Sequence, residues 1–250
     1  MGKIVMPGQG GLGRFPVPNF ALKPATMNIA PKTKKVLIGM PFGRPLDLPS
    51  HKAWVDLTIH AVNDSRFLIL EKYTRTAYLD LNRDNIAQYG LDNNCEYILM
   101  IDSDMSYPPT ILPTLVSRDK DVIGVDYYTP RWNPKEKKSD RVGPIIYDYD
   151  RKNKGWKEWG KVDETKPFRV DAVGTGIMLI KAKVFKKLKK PWFPFFVYKD
   201  RKDTRIMGED LGFCMKCLAK GIEVWIDPTF GDEIKHWKLY GYSKKDCTAK

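Results

Sequence analysis

The stretch Tyr97-Ile-Leu-Met-Ile-Asp-Ser-Asp104 decides the fold class of this 250-residue chain. Five apolar residues in a row are typical of a strand that is buried on both faces of a parallel sheet. Two aspartates, separated by one residue, follow the strand directly. Ligands bind at the carboxyl ends of the strands in open sheets of this kind, so Asp102 and Asp104 are the first candidate site residues.

Strands and helices alternate on both sides of this stretch. Turn residues and apolar spacing predict strands at 35–40, 67–70, 121–125, 168–170, 173–180 and 223–227. Helices are predicted from Ser50, over 79–89 with a stop at Gly90, after Pro109, over 182–190 and from Gly208. The alternation predicts a Rossmann-like α/β fold, in which helices flank a central, mostly parallel sheet.

The chain is predicted to hold one ordered domain, 34–250, behind an N-terminal arm. Residues 1–33 are rich in glycine, proline and lysine and are interpreted as a flexible arm. Gly8 to Gly13 spell G-x-G-x-x-G, but Pro16 and Pro18 follow, so no helix can begin there and the match is interpreted as accidental. Within the domain, about 130–168 is a basic, tryptophan-rich excursion, expected to form loops or antiparallel strands.

Composition limits the class of protein. The 43 Lys and Arg residues exceed the 30 Asp and Glu residues by 13, which suits either a polyanionic partner or solubility alone. No apolar run approaches the roughly 20 residues of a membrane-spanning helix. The four cysteines are too few and scattered for a disulfide framework, and no secretory signal is visible. We expect a reduced, cytoplasmic protein, a viral gene being one possible source; the oligomeric state is not predicted.

Three groups of polar residues suggest chemistry. Asp102 and Asp104 could aim two carboxylates at one magnesium or manganese ion, or could form a solvent-facing turn. Glu209 and Asp210 open a helix, where acids also favour the helix dipole. His236 lies beyond the last predicted strand, where it could be a metal ligand or a packing residue.

Taken in order, these motifs resemble the GT-A family of nucleotide-sugar-dependent glycosyltransferases of the D-x-D type. The resemblance covers about 35–240. The matching stretches are Val36–Pro41, Leu81–Arg83, Tyr97–Met105, Val173–Ile180, Pro191–Phe193, Gly208–Cys214, Gly221, Val224–Asp227 and His236.

The resemblance implies roles for these positions. The metal, Mn²⁺ or Mg²⁺, would be held by Asp104 and His236, with Asp102 turned toward it or toward the ribose. The donor, a UDP-sugar or alternatively a GDP-sugar, would lie against Met40, Pro41, Arg83, Asp102, Ser103, Asp104, Gly174, Thr175 and Gly176. Asp210 would be the general base of a single displacement with inversion, and Glu209 is the rival base.

The acceptor stays open at this point. Lys181, Lys183, Lys186 and Lys187, together with Trp132 and Trp156, favour double-stranded DNA that carries a hydroxymethylated pyrimidine. A polysaccharide, a lipid-linked sugar or a protein hydroxyl are the alternatives. A non-catalytic glycan- or DNA-binding module of the same fold is the competing class, and a nucleotidyltransferase is disfavoured because the glycine-rich stretch precedes the first strand.

Overall fold

The computed structural model describes residues 33–42, 47–133, 138–152, 155–199, 204–237 and 241–242. Apart from Thr33, the predicted arm and its glycine motif lie outside the described residues.

The strands and helices follow one another along the chain in the predicted alternation. The strands are β1 (Lys34–Pro41), β2 (Phe67–Thr74), β3 (Tyr97–Ile101), β4 (Met105–Ser106), β5 (Val122–Val125), β6 (Tyr128–Asn133), β7 (Lys138–Pro144), β8 (Ile146–Asp150), β9 (Gly155–Glu158), β10 (Phe168–Val170), β11 (Ala172–Val173), β12 (Ile177–Lys181), β13 (Phe196–Lys199), β14 (Thr204–Met207), β15 (Val224–Asp227), β16 (Lys235–Trp237) and β17 (Gly241–Tyr242). The helices are α1 (Leu48–Val62), α2 (Leu79–Asp92), α3 (Ile111–Ser117), α4 (Ala182–Lys187) and α5 (Glu209–Ala219), and Gly231–Glu233 form a short 3₁₀ turn.

A seven-stranded sheet, in the order β10-β15-β5-β12-β3-β1-β2, forms the centre of the protein. Strand β1 pairs in parallel with β2 and β3, and β5 pairs in parallel with β15. Strand β12 is antiparallel to both β3 and β5, and β10 is antiparallel to β15. Five of the seven strands therefore point the same way, and the predicted mostly parallel α/β sheet is confirmed.

Side chains on the two faces of this sheet enter two separate hydrophobic cores. Alternate residues of a strand point to opposite faces; on β1, Leu37 belongs to one core and Val36 and Ile38 to the other. Helices α2, α4 and α5 cover the first face, and α1 and α3 cover the second. With both faces covered, β3 is buried along its whole length, as its unbroken apolar sequence predicts.

Helix boundaries differ from the sequence prediction at three places, and one of them is the end of α4, which lies at Lys187 and not at Lys190. Asp47, not Ser50, caps α1, because the Asp47 carboxylate accepts the Ser50 backbone N–H at 3.1 Å. Helix α2 continues through Gly90 to Asp92. A Cβ on Gly90 would lie 2.6 Å from the Ile98 side chain, so this glycine allows close helix–sheet packing and does not end the helix.

The basic excursion contains the antiparallel strands that were one of its two predicted forms. Strands β6 and β7 pair as one ribbon, and β8 and β9 pair as a second ribbon. Strand β11 pairs with the other side of β8 and ties that second ribbon to the domain. Among the helices of the described residues, none is long and apolar enough to cross a membrane.

Helix α5 packs on the chain at Pro194 with no room for a side chain at Gly212. A Cβ on Gly212 would lie 1.9 Å from the Pro194 carbonyl oxygen, which is backbone and cannot rotate away. We predict that Gly212→Ala lowers the free energy of unfolding by at least about 2 kcal/mol, because the overpacking outweighs the gain in helix propensity. Urea denaturation measures this change.

Ala219→Gly at the exposed end of the same helix is the matched control. It should cost no more than about 1 kcal/mol. Equal stability of Gly212→Ala and the wild type would contradict the close packing of α5.

Candidate active site

A cavity of about 700 Å³ opens where the parallel strands of the sheet end. Its floor comes from the ends of β1 and β3 and from the segment after β5, and its walls come from α2, α5, β9 and β14. Its polar and aromatic lining includes Arg83, Asp102, Ser103, Asp104, Tyr127, Tyr147, Trp156, Glu158, Glu209, Asp210 and His236. The cavity therefore gathers acidic residues that lie more than one hundred positions apart in the chain.

The side chain of Arg83 connects three elements beneath this cavity. Arg83 lies on α2 and is only 2% exposed. Its Nη2 donates to Asp102 Oδ1 at 2.8 Å, and its Nε donates to Glu209 Oε1 at 3.1 Å. Burial opposes its positive charge, but the neighbouring carboxylates outweigh burial and raise the pKa of Arg83. Arg83 is thus engaged with two acids rather than extended toward a ligand, and only its Nη1, buried, has no partner among the described residues.

Asp104 and His236 meet on the other side of Asp102. Strand β16 pairs with β4, and this pairing places His236 opposite Met105. His236 Nε2 lies 3.1 Å from Asp104 Oδ2, and both side chains are at least 85% buried. The Trp237 backbone N–H donates to the Asp104 carbonyl at 2.7 Å, which secures the contact. The structure therefore brings together the two residues that the resemblance assigns to the metal.

Asp102 has a different neighbour from the one that the resemblance implies. Its carboxylate is paired with Arg83, so the geometry gives it the role of an ion-pair partner beside the Asp104–His236 pair. Burial raises the pKa of Asp102, the Arg83 charge opposes this rise, and the negative charges of Asp104 and Glu209 add to it.

Asp210 is an acid of the cavity with a strongly raised pKa. Gly208 caps α5, so Glu209 and Asp210 occupy the first turn of the helix. Burial, with the negative charge of Glu209, raises the pKa of Asp210 to about 7. The carboxylate of Glu209 is held by Arg83. In Asp210, by contrast, Oδ1 accepts a hydrogen bond of 2.7 Å from the adjacent Leu211 backbone N–H. Of the two adjacent acids, Asp210 is the better placed to exchange a proton near neutral pH.

One of the residues predicted to border the donor, Met40, does not line the cavity. Pro41 lines the cavity, but Met40 is buried in the core below it. Ser103, between the two aspartates, is buried and lines the cavity.

The predicted glycine segment does not line the cavity. Gly174, Thr175 and Gly176 are packed behind Tyr127: a Cβ on Gly174 would lie 2.1 Å from the Tyr127 hydroxyl. The Gly176 N–H donates to that hydroxyl at 3.3 Å. The absence of side chains here serves the packing of Tyr127, and Tyr127 itself faces the cavity.

The predicted lysine cluster lies at the opposite edge of the sheet. Because β12 is antiparallel to β3, Lys181 pairs with Tyr97 at the start of β3, about 13 Å of strand away from Ile101. Lys181 and Lys183 pair with Asp119 and Asp121, and Lys186 and Lys187 follow on α4. The structure therefore corrects the expectation that Lys181, Lys183, Lys186 and Lys187 hold an acceptor at this site.

Of the two tryptophans predicted to contact the acceptor, the structure describes the side chain of Trp156. Trp156 lines the cavity, whereas the side chain of Trp132 lies outside the described residues. Sequence reasoning missed Tyr127, Tyr147, Glu158 and Met207, which also line the cavity. The position of Tyr127 just after a buried strand was the one available signal; the other three lie on ribbons whose placement depends on long-range pairing.

Among the described residues, the cavity offers a hard cation a pair of adjacent ligand atoms, from Asp104 and His236, rather than a complete set of protein ligands. Among the described residues, no group of three or more His, Cys, Asp or Glu side chains is arranged to hold a metal ion. Asp104 and His236 alone present two ligand atoms 3.1 Å apart. Two neighbouring ligands at about 2.1 Å from an octahedral Mg²⁺ or Mn²⁺ are separated by about 3 Å. This pair fits an ion that keeps its other positions for water and ligand oxygens.

Solved structures with a similar fold include two with TM-scores of at least 0.50. A197 from STIV matches with a TM-score of 0.54 and 17% identity, over 85% of this chain and 91% of that one. GalNAc-T7, in a crystal structure with UDP, GalNAc and Mn²⁺, matches with a TM-score of 0.50 and 12% identity, over 81% of this chain and 43% of that one. A glycosyltransferase involved in the glycosylation of the major capsid of PBCV-1 matches with a TM-score of 0.32 and 12% identity, over 63% and 69% of the two chains.

These identities establish likeness of fold. No family model matches the sequence, and no curated protein matches it significantly. The chain has a GT-A-like α/β fold, and its cavity occupies the strand-end edge of that fold.

The raised pKa of Asp210 predicts how the stability of the protein depends on pH. The folded-state pKa lies above the ordinary value of 3.8, so the folded protein keeps this proton to a higher pH than the unfolded chain. Stability is therefore lost as the pH rises from about 4 to about 7. We predict that Asp210→Asn, which cannot ionise, unfolds at least about 3 °C above the wild type at pH 8 and at nearly the same temperature at pH 4.

Thermal unfolding at a series of pH values measures this difference. Asp163→Asn, at an exposed position, is the control and should follow the wild type at every pH. A difference between Asp210→Asn and the wild type that does not change with pH would reject the shifted pKa.

Proposed function

We propose that this protein is a metal-dependent glycosyltransferase that moves a sugar from a nucleotide-diphosphate sugar to an acceptor hydroxyl. The observation that carries the proposal is the presence, in one cavity of a GT-A-like fold, of the Asp104–His236 pair and of Asp210 with its raised pKa. A cation-binding pair and a tuned acid are the two parts that this reaction needs.

Asp104 and His236 would hold the divalent cation, Mn²⁺ or Mg²⁺. When bound, such an ion neutralises the charge that develops on a departing diphosphate. The described lining of the cavity supports a cation at this place, because it holds five carboxylates, Asp102, Asp104, Glu158, Glu209 and Asp210, and two basic side chains, Arg83 and His236. UDP is the favoured nucleotide of the donor, with GDP as the alternative; the similarly folded GalNAc-T7 was crystallised with UDP and Mn²⁺.

Asp210 would take the proton of the acceptor hydroxyl. A general base works best when its pKa lies near the working pH, and burial brings Asp210 into that range. Glu209 is less suited to this role because its carboxylate is bound by Arg83. A base on the acceptor side corresponds to a single displacement with inversion at the sugar carbon.

Arg83 would act as a positioning residue. It fixes Asp102 at the end of β3 and Glu209 at the start of α5, and these are the neighbours of Asp104 and Asp210. The relative position of the cation pair and the base thus depends on one buried side chain.

Donor binding and donor turnover test the proposal together. We expect thermal unfolding of the wild type to shift upward with UDP or GDP plus Mn²⁺, and not with the nucleotide alone. The matching sugar nucleotide should be slowly hydrolysed when no acceptor is present. Asp104→Asn should remove both signals.

Asp210→Asn should keep the nucleotide-dependent thermal shift but lower turnover by about 100-fold or more, since it removes only the base. Asp119→Asn, at the opposite edge of the sheet, is the matched control and should behave as the wild type. Turnover that persists in Asp104→Asn, or that needs no divalent ion, would overturn the assignment.

A further inference from the structure

One wall of the cavity takes no part in the proposed reaction. The β8–β9 ribbon contributes three cavity-lining side chains, Tyr147, Trp156 and Glu158, which we call the ribbon wall. Tyr147 pairs across the ribbon with Glu158, and Trp156 lies two residues before Glu158. Side chains two apart on a strand, and those directly opposite on its partner, share one face of the ribbon. The ribbon wall is therefore a continuous surface of two rings and one carboxylate.

Aromatic neighbours hold the indole of Trp156 in place, and its N–H is buried. Its ring packs at 5.3 Å from Tyr149 and 6.5 Å from Tyr147, in edge-to-face geometry. Its Nε1 is buried and has no partner among the described residues. By contrast, Nε1 of Trp159, on the same ribbon but away from the cavity, donates to Asp148 at 2.8 Å. Because Nε1 is buried, the ring and not the N–H is the part of Trp156 that a ligand in the cavity can reach.

The charge of the cavity decides which ligand class fits. Among the described residues that line it, five are acidic, Asp102, Asp104, Glu158, Glu209 and Asp210, and two are basic: Arg83, which is already paired with two of these acids, and His236, which contacts Asp104. A nucleic-acid backbone would bring further negative charge to this wall, and the lysines predicted to hold such a backbone, at 181, 183, 186 and 187, lie at the other edge of the sheet. A neutral molecule with many hydroxyls meets no such repulsion.

We infer that the ribbon wall is the acceptor subsite and that it binds a neutral carbohydrate, whose ring lies against Trp156 and whose hydroxyls bond to Glu158. The flat ring of Trp156 suits the apolar face of a sugar, and a carboxylate accepts hydrogen bonds from sugar hydroxyls. This inference rests on the proposed function, since it places the nucleophilic hydroxyl in the cavity that also holds Asp210.

Direct sugar binding tests the subsite. The probes are neutral methyl glycosides of glucose, galactose, mannose and N-acetylglucosamine, as both anomers. Each is titrated by saturation-transfer NMR into the full chain in the presence of Mn²⁺ and of UDP or GDP, whichever raises the unfolding temperature. We expect at least one glycoside to bind, Trp156→Ala to weaken its binding about tenfold, and Trp156→Phe to weaken it less, because a ring remains.

Trp159→Phe is the matched control and should bind the glycoside as the wild type does. The nucleotide-dependent thermal shift should persist in Trp156→Ala, which shows that the variant is folded. If the nucleotide binds but no glycoside does, or if Trp156→Ala binds glycoside normally, the subsite is overturned while the proposed function stands. Failure of the wild type to bind any nucleotide with Mn²⁺ would instead overturn the proposed function. Binding of single-stranded DNA in place of glycosides, lost in Trp156→Ala, would also reject the carbohydrate.

Discussion

The buried guanidinium of Arg83 is the constraint on which the rest of the site depends. A charge that is almost fully removed from water is tolerable only with partners, and Arg83 has Asp102 from β3 and Glu209 from α5. These residues lie 19 and 126 positions away along the chain. Removal of one partner from such a pair commonly costs about 3–5 kcal/mol, because the other charge is then buried alone. The ion pairs therefore fix where Asp104 and Asp210 stand.

Much of the sheet could be predicted because its signals are local. The apolar runs of β1, β3, β5 and β15 are short, unbroken and followed by turn residues, which is how a strand buried on both faces is encoded. The same locality placed Asp102 and Asp104 at a strand end and Glu209 and Asp210 at a helix start. The sparse, scattered cysteines argue against a disulfide framework, and Cys214 and Cys217 are both buried on α5 as free thiols.

The positions of the other predicted site residues depend on strand direction and long-range packing, which a single sequence does not encode locally. Strand β12 runs against its neighbours, and this reversal carries Lys181 to the far edge of the sheet while Gly176 stays at the near edge. The glycines at 174 and 176 were predicted to approach a ligand, but the group they approach is the ring of Tyr127. Arg83 was predicted to lie against the donor, but two buried acids hold it within the protein. In each case a long-range packing partner replaced the expected ligand.

The chain carries a net charge of +13, yet the described residues that line the cavity are mostly acidic where they are charged. The proposed function requires a cation between the acidic side chains of the cavity and the anionic diphosphate of the donor. A crystal structure of the protein with Mn²⁺ and UDP tests it most directly. We expect manganese to be bound by Asp104 and His236, with Arg83 still paired to Asp102 and Glu209. Diphosphate held directly by a released Arg83, with no ion beside Asp104, would contradict it.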